Sequence, residues 1–374
     1  MIKVLVFIDW YLPAIKAGGP ISSIVNMVDL LFEEVEFYIV TGNRDLNSKH
    51  NLEGVICNKW QKVGSAKVMY LDDNSEKVIK FKNIVQNINP DVIYVNGVFS
   101  KYFSIIPCYL FSSNYPLIIN PRGMFGEEAL KIKKIKKYLF LKFVNMFSFY
   151  KNAHWHVSNK KEYSHLSANI KLNKSYTIAP NISRKIQFKK KSKLKGILRV
   201  CICGRLTKIK NIEFAINIFK KVDFKCEIKI IGFIEDQIYY KKLINEAKSL
   251  PENIDISFKG HLDYSNLDEE VLNSDLLIST SLNENYGHSI VEALAVGTPV
   301  LISEFCPWKR LSESNAGFRI PLKENLFLEK LKFFNEMKNE DYNKYNLGAR
   351  EYFENHIYNN ELKNNYLQLL TSFN

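Results

Sequence analysis

The sequence predicts an α/β protein of two doubly wound domains, each a parallel sheet covered by helices. Three observations carry that expectation: a length of 374 residues, a repeated alternation of short apolar runs with helical periodicity, and a lysine-rich polar break midway. One hydrophobic core rarely organises more than about 250 to 300 residues, so a chain of this length is expected to divide in two. Strands buried on both faces read as near-continuous apolar runs, and their alternation with helices is what builds βαβ units.

In the first half the strand candidates are residues 4–8, 37–41, 92–96, 117–120 and 154–158; in the second they are 198–203, 227–231, 256–259, 276–280 and 299–303. Between the two series lies the polar stretch 181–196, with Arg184, Lys185, Lys189, Lys190, Lys191, Lys193 and Lys195. It reads as a solvated linker. The expected organisation is therefore a first domain over 1–183, a linker over 184–196, a second domain over 197–350 and a helix over 351–374 that can cross back to the first domain. The tail spaces Tyr352, Phe353, Ile357, Leu362, Tyr366, Leu369 and Leu370 as a helix does and offers no further strand.

Hydrophobic residues make up 46% and charged residues 24% of the chain, which excludes disorder and fibrous folds. No apolar run reaches the roughly 20 residues a membrane-spanning helix needs, and the first run, Val4 to Ile8, meets Asp9 at once. It reads as a strand rather than a leader, and the expected compartment is the cytoplasm. The six cysteines form no C-x-x-C pair and no cluster with histidine, so buried thiols are expected and no metal site. Lys and Arg number 52 against 39 Asp and Glu, a formal charge of +13 that favours an acidic partner: phosphates, nucleic acid or an anionic membrane surface.

The strongest chemical signal is Gly204-Arg205-Leu206-Thr207-Lys208-Ile209-Lys210-Asn211, which follows a predicted strand and opens a predicted helix at Asn211. A helix N-terminus carries about half a positive charge, so cations placed there cost stability unless an anion joins them. Backbone N–H groups with Arg205 and Lys210 suit a diphosphate. The bland alternative is a solvated basic loop.

The second signal starts at Leu282 and reads Asn283-Glu284-Asn285-Tyr286-Gly287-His288-Ser289, continuing through Glu292 to Gly297-Thr298-Pro299-Val300. Ser289 and Glu292 have capping-box spacing, which gives Glu292 a purely structural reading. Glu284 stands at the carboxyl end of a parallel strand, where open α/β sheets place ligands; its alternative is an exposed loop acid.

Glu284 and Glu292, followed by Ala-Leu-Ala-Val-Gly-Thr-Pro-Val, resemble the two-glutamate motif of glycosyltransferase family 4, and Gly204-Arg205-Leu206 with Lys210-Asn211 resembles that family's phosphate loop. Tyr11-Leu12-Pro13 with Gly18-Gly19-Pro20 is a weaker match to its first strand-to-helix loop. The resemblance implies the GT-B architecture, with an acceptor-binding first domain, a donor-binding second one, and a retaining transfer from a UDP- or GDP-linked sugar without metal or other cofactor.

By motif position, Arg205 and Lys210 would stabilise the departing nucleoside diphosphate and Glu284 would hold donor-sugar hydroxyls. Glu292 would hold the ribose, and Gly18, Gly19, Gly204, Gly287, His288 and Ser289 would line the donor. Many relatives carry His-Gly after the fourth strand of the first domain. This chain reads Asn120-Pro121-Arg122-Gly123-Met124, so Arg122 is expected to position donor or acceptor, since a guanidinium cannot act as a base. His154 and His156 alternate on a predicted strand and read as structural.

Residues 129–150 contain Lys131, Lys133, Lys134, Lys136, Lys137 and Lys142, with no acid between Glu128 and Glu162. On a helix Ile132, Ile135, Leu139, Phe143 and Met146 share one face. Two readings stand: a helix packed on its own sheet with a solvated basic side, or peripheral contact with anionic lipid or a polyprenyl-diphosphate-linked saccharide acceptor. The resemblance implies a bacterial surface-polysaccharide enzyme, of O-antigen, lipopolysaccharide or capsule synthesis. A nucleotide-sugar epimerase could share the layout and would change donor without acceptor. A nucleic-acid-binding protein is the alternative from another class, but no RNA-recognition, zinc-finger or helix-turn-helix signature accompanies the charge.

Overall fold

The computed structural model describes residues 1–72, 77–131, 133–171, 175–184, 186–189 and 191–373. Ile132, Lys185 and Lys190, singled out above, lie outside the described residues. The chain forms two compact units, Met1–Ile182 with Asn360–Asn374, and Ser183–Asn359.

The first unit is built on β1 (Ile2–Phe7), α1 (Gly19–Leu31), β2 (Val35–Gly42), β3 (Trp60–Val63), β4 (Ala66–Leu71), α2 (Lys77–Ile88) and β5 (Val92–Asn96). A π-turn at Lys101–Ile105 leads into α3 (Ile106–Phe111), followed by β6 (Leu117–Asn120), α4 (Glu127–Lys131), α5 (Lys134–Met146), β7 (Ala153–Val157), α6 (Lys160–Asn169) and β8 (Tyr176–Ile178). The sheet order is β3-β4-β2-β1-β5-β6-β7-β8, parallel throughout except for the edge hairpin β3-β4. β1 lies between β2 and β5, with Val4 paired to both Phe37 and Val92. Every residue of β5, β6 and β7 is buried, the reason those strands read as continuous apolar runs.

The second unit comprises β9 (Leu198–Cys203), α7 (Ile212–Phe219), β10 (Cys226–Ile231), α8 (Gln237–Ala247), β11 (Ile254–Gly260), α9 (Tyr264–Leu272) and β12 (Leu276–Ser279). After these come α10 (His288–Ala295), β13 (Val300–Ser303), β14 (Gly317–Ile320), α11 (Glu324–Glu336) and α12 (Asn339–His356). All six strands are parallel, in the order β11-β10-β9-β12-β13-β14.

Two expectations need correction. The described residues of 184–196 are not a free linker: they strap onto the second unit. The Lys191 ammonium donates to the carbonyls of Leu272 and Ser274 and, at 2.8 Å, to Thr298 Oγ1, and Lys193 Nζ donates to Asn335 O at 2.5 Å. Burial pulls the Lys191 pKa down to about 7. Arg350 Nη1 reaches Ile186 O at 2.9 Å from α12. Charge density in sequence reads as solvation; here backbone carbonyls solvate Lys191 and Lys193 instead, while Lys189 and Lys195 are exposed.

The tail is likewise not one helix. α12 ends at His356 and buries Tyr352 and Phe353 in the second unit, where Ile357 just after it is buried too, whereas α13 (Asn360–Thr371) belongs to the first. Leu362, Tyr366, Leu369 and Leu370 of α13 share a core with Ile24, Met27, Val28 and Leu31 of α1. Tyr366 Oη donates to Pro180 O at 2.9 Å, and Lys363 pairs with Glu34.

Of the two readings of residues 129–150, packing of α5 on its own sheet is carried by Leu141 and Val144, which are buried in the core. Ile135, Leu139, Phe143 and Met146 are 50% to 76% exposed.

Candidate functional site

In the second unit, strand order reverses between β9 and β12, the neighbouring strands from which the sheet grows both ways. Ligands of open α/β sheets bind outside the carboxyl ends at such a point. The loop after β9 carries Gly204 to Lys210, and the loop after β12 carries Leu282 to Gly287. Backbone and side-chain bonds stitch them together. Leu282 N donates to Ile209 O at 2.8 Å, and Thr280 Oγ1 to Asn211 O at 2.9 Å.

The basic loop is a 3₁₀ turn, Lys208–Lys210, then Asn211 in the left-handed region and α7 from Ile212. The helix thus starts one residue later than the sequence indicates, and Lys210 is free of its first turn. Its stem lies across Gly204, where a Cβ would stand 3.3 Å from Lys210 Cε. The Lys210 ammonium forms an ion pair with Glu284, and Ser281 Oγ donates to the same carboxylate oxygen at 3.3 Å. Lys210 and Glu284 are therefore brought together. Arg205 is not brought to Glu284: its half-exposed guanidinium pairs with Glu235, an acid the sequence reading did not single out.

Gly287 caps α10 at φ 77°, a conformation that favours glycine. A Cβ there would meet Ile290 Cδ1 at 2.9 Å and Glu284 Cγ at 3.1 Å, so this glycine also makes room for Glu284. The capping box is not formed. His288 starts α10, and Ser289 Oγ donates to Cys203 O at the end of β9, at 3.0 Å. Glu292 is released from any capping duty and is buried against Arg184, whose Nε lies 3.5 Å away and whose other nitrogens grip Asp268. Burial pushes the Glu292 carboxyl up to about 7 against the pull of Arg184, and Asp268 adds to the rise. Arg184 and Asp268 were missed, since a residue read as linker and an acid of α9 share no motif.

Beside them Tyr286 is buried with no hydrogen-bond partner for its hydroxyl among the described residues, while its carbonyl accepts from Trp308 Nε1 at 2.7 Å. The two loops thus present an ammonium, a carboxylate and backbone amides at the carboxyl ends of β9 and β12, and Glu292 follows on α10. Such a set can grip a polyanion with its cation and hydroxyl groups with its acids. No group of three or more His, Cys, Asp or Glu able to hold a metal occurs among the described residues.

In the first unit Gly18, at φ 62°, precedes α1, and Gly19 and Pro20 open it. Arg122 sits between β6 and α4 with φ 51°, its side chain held by two asparagines. His156 is fully buried: its Nε2 donates to Ala179 O at 2.9 Å, and its Nδ1 accepts from Tyr94 Oη and Asn120 Nδ2. Burial and the nearby Arg122 charge lower its pKa to about 3, which keeps the ring neutral, and the Ala179 carbonyl fixes its proton on Nε2. His154 bonds Ser175 and Thr177. Both histidines are structural.

The family model described as Glycosyl transferases group 1 matches residues 181–352. No curated protein sequence matches the chain. Among solved structures the chain is similar to Anabaena Alr3699/HepE in complex with UDP and glucose, with a TM-score of 0.73 and 16% identity over 100% of both chains. It is also similar to sucrose-phosphate synthase (tll1590) from Thermosynechococcus elongatus, with a TM-score of 0.72 and 14% identity over 100% of this chain and 99% of that one. WaaG, a glycosyltransferase involved in lipopolysaccharide biosynthesis, gives a TM-score of 0.67 and 13% identity over 99% and 100%. The chain has the two-domain GT-B fold of glycosyltransferases, and its second unit is the part similar to the group 1 glycosyl transferases.

Proposed function

We propose that this protein is a retaining, metal-independent glycosyltransferase of family 4 type that moves a sugar from a nucleotide-sugar donor onto a saccharide or lipid-linked saccharide acceptor. The observation that carries the reading is the Lys210–Glu284 pair at the carboxyl ends of two adjacent strands. In the transfer the bond between anomeric carbon and phosphate oxygen breaks, and a bond from the acceptor oxygen to that carbon forms. The acceptor proton passes to the diphosphate, which leaves. Negative charge grows on the leaving group, so a fixed ammonium aimed there lowers the barrier. Lys210 takes that part, with Arg205 turning from Glu235 to assist and amides of Gly204, Gly287, His288 and Ser289 completing the cradle. Glu284 holds donor-sugar hydroxyls and Glu292 the ribose. That Alr3699/HepE is described with UDP and with UDP-glucose supports a UDP-linked donor over a GDP-linked one.

The test is nucleotide release from a panel of UDP- and GDP-sugars, with and without polyprenyl-diphosphate-linked saccharides, for the wild type and Lys210→Ala. Acceptor-dependent release that falls at least about a hundredfold in the variant is expected. Release that needs no acceptor, or is untouched by the substitution, overturns the reading.

A lipid-linked acceptor of surface-polysaccharide synthesis is supported by α5. Its exposed Ile135, Leu139, Phe143 and Met146 are accompanied by exposed Lys133, Lys134, Lys136 and Lys142, a combination suited to the surface of an anionic bilayer. No helix of the described residues is long and apolar enough to cross a membrane. Flotation with anionic vesicles at low salt, lost in Phe143→Ser/Met146→Ser, is expected; recovery of all protein unbound counts against peripheral contact on the cytoplasmic face.

A further inference from the structure

In the first unit, a second cation stands outside the machinery of the second. Arg122 follows β6, and its conformation is costly: a non-glycine residue at φ 51° gives up about 1 kcal/mol, and such strain persists where surrounding structure enforces it. The enforcement is visible. Arg122 N donates to Asn120 Oδ1 at 3.0 Å, Nε to Asn96 Oδ1 at 2.6 Å and Nη1 to Asn181 Oδ1 at 2.6 Å. Asn96 and Asn120 are the last residues of β5 and β6, at the carboxyl edge of the sheet, and all three asparagines are buried.

These partners are neutral. A guanidinium has five N–H donors, and two are spent, so three remain on Nη1 and Nη2 with no protein acceptor among the described residues. No carboxylate of the described residues pairs with Arg122. Glu162, the acid of the adjoining helix, is committed to Gly123 N through Oε1 and to Ser158 N and Oγ through Oε2. Arginines that serve only structure are, when half-buried, normally compensated by a carboxylate, as Arg199 is by Asp275 and Arg184 by Asp268 here. Arg122 instead keeps its charge, and its field reaches the neighbouring His156.

We propose that Arg122, fixed by Asn96 and Asn181, is an oxyanion-binding residue that recognises a phosphate or carboxylate group of a substrate. The fork geometry accepts two oxygens of either group. The proposal deepens the transferase reading by naming a charged group in what the enzyme binds, yet binding itself can be measured whether or not sugar is transferred. Two sources share this chemistry: the diphosphate of the nucleotide-sugar, and an acidic group on the acceptor.

The experiment follows the Arg122 Nε–H signal of the ¹⁵N-labelled full-length protein by NMR, identified by its loss in Arg122→Gly, a substitution that φ 51° tolerates. Probes are UDP for the donor source, and glucose 6-phosphate and glucuronate for an acidic acceptor. A saturable shift with any probe is expected, as is affinity for that probe reduced about tenfold in Arg122→Gly and recovered only in part in Arg122→Lys, which keeps charge but not the fork. A response confined to UDP assigns the donor, and one confined to the sugar acids assigns the acceptor. The proposal is overturned if no probe moves the signal, or if Arg122→Gly stays folded and binds every probe as the wild type does. Failure of turnover alone, with the shift intact, removes the transferase reading and leaves this one standing.

Discussion

Replacing Glu292 by Gln separates what a buried acid costs the fold from what it gives the site. Burial raises this carboxyl from 4.5 to about 7, a difference worth about 3 kcal/mol between its two protonation states. The folded pKa lies above the unfolded one, so between those values the folded protein holds a proton that the unfolded chain has lost. Stability from this group is therefore intact below pH 4.5, falls as pH rises from 4.5 to about 7, and stays reduced above. Gln keeps the shape, has no charge to bury, and leaves Arg184 paired with Asp268. Relative to the wild type, Glu292→Gln should gain up to about 3 kcal/mol on going from about pH 4.5 to about pH 8, while transfer activity drops by roughly tenfold or more because a charge-assisted hydrogen bond to substrate is lost. Urea unfolding followed by the fluorescence of Trp308, which packs in the same core as Glu292's helix, measures the first quantity. A stability difference independent of pH would refute the reasoning, because it would mean that the carboxyl ionises alike in the folded and unfolded chain.

Other substitutions probe the neighbouring parts. Gly287→Ala should destabilise by about 1 to 3 kcal/mol and displace Glu284, read as a lowered melting temperature with weakened nucleotide binding, because φ is 77° and the new methyl meets Ile290 and Glu284. For Lys191, whose folded pKa of about 7 lies below the ordinary 10.5, the unfolded chain binds the extra proton, so stability rises with pH between those values. The advantage of wild type over Lys191→Met should grow by up to about 4 kcal/mol from about pH 7 to about pH 10, measured as paired denaturant midpoints. Tyr366→Ala should cost about 3 to 5 kcal/mol, seen as loss of the first unit's unfolding transition, since it empties a fully packed position between α13 and α1 and orphans Pro180 O.

Legibility followed burial. Strands β5, β6 and β9 stand at the residues their sequence pattern marks, because a strand covered on both faces leaves a mainly apolar run, broken in β9 only by Arg199. The hairpin β3-β4 escaped notice, as Trp60–Val63 is only half-buried at a sheet edge and Lys67 interrupts its partner. β8 and β14 were missed for a like reason: each is short and carries exposed residues. In the site, the places of Lys210 and Glu284 in loops that follow a strand were readable in the sequence, whereas their pairing with each other was not. Arg205 was not, because its partner Glu235 lies after β10 and no local pattern links them. Nor could spacing reveal that Ser289 would bond a β9 carbonyl: the capping box competes with a tertiary acceptor that only the fold supplies. The lysines of the strap illustrate the same limit, since a one-dimensional charge count cannot see the carbonyls of Leu272, Ser274 and Asn335 waiting for them.

The return of α13 to the first unit sets an order of events during synthesis. Domains ordinarily condense one after another as they leave the ribosome, amino-terminal first. Here the apolar side of α1 keeps part of its cover in residues 360–374, which emerge only after the whole of the second unit. Until then Ile24, Met27 and Leu31 remain a sticky surface on a half-finished body. Completion of the first unit is thus deferred until the second has been made, and a chain stalled before Asn360 would leave a species that chaperones must shield.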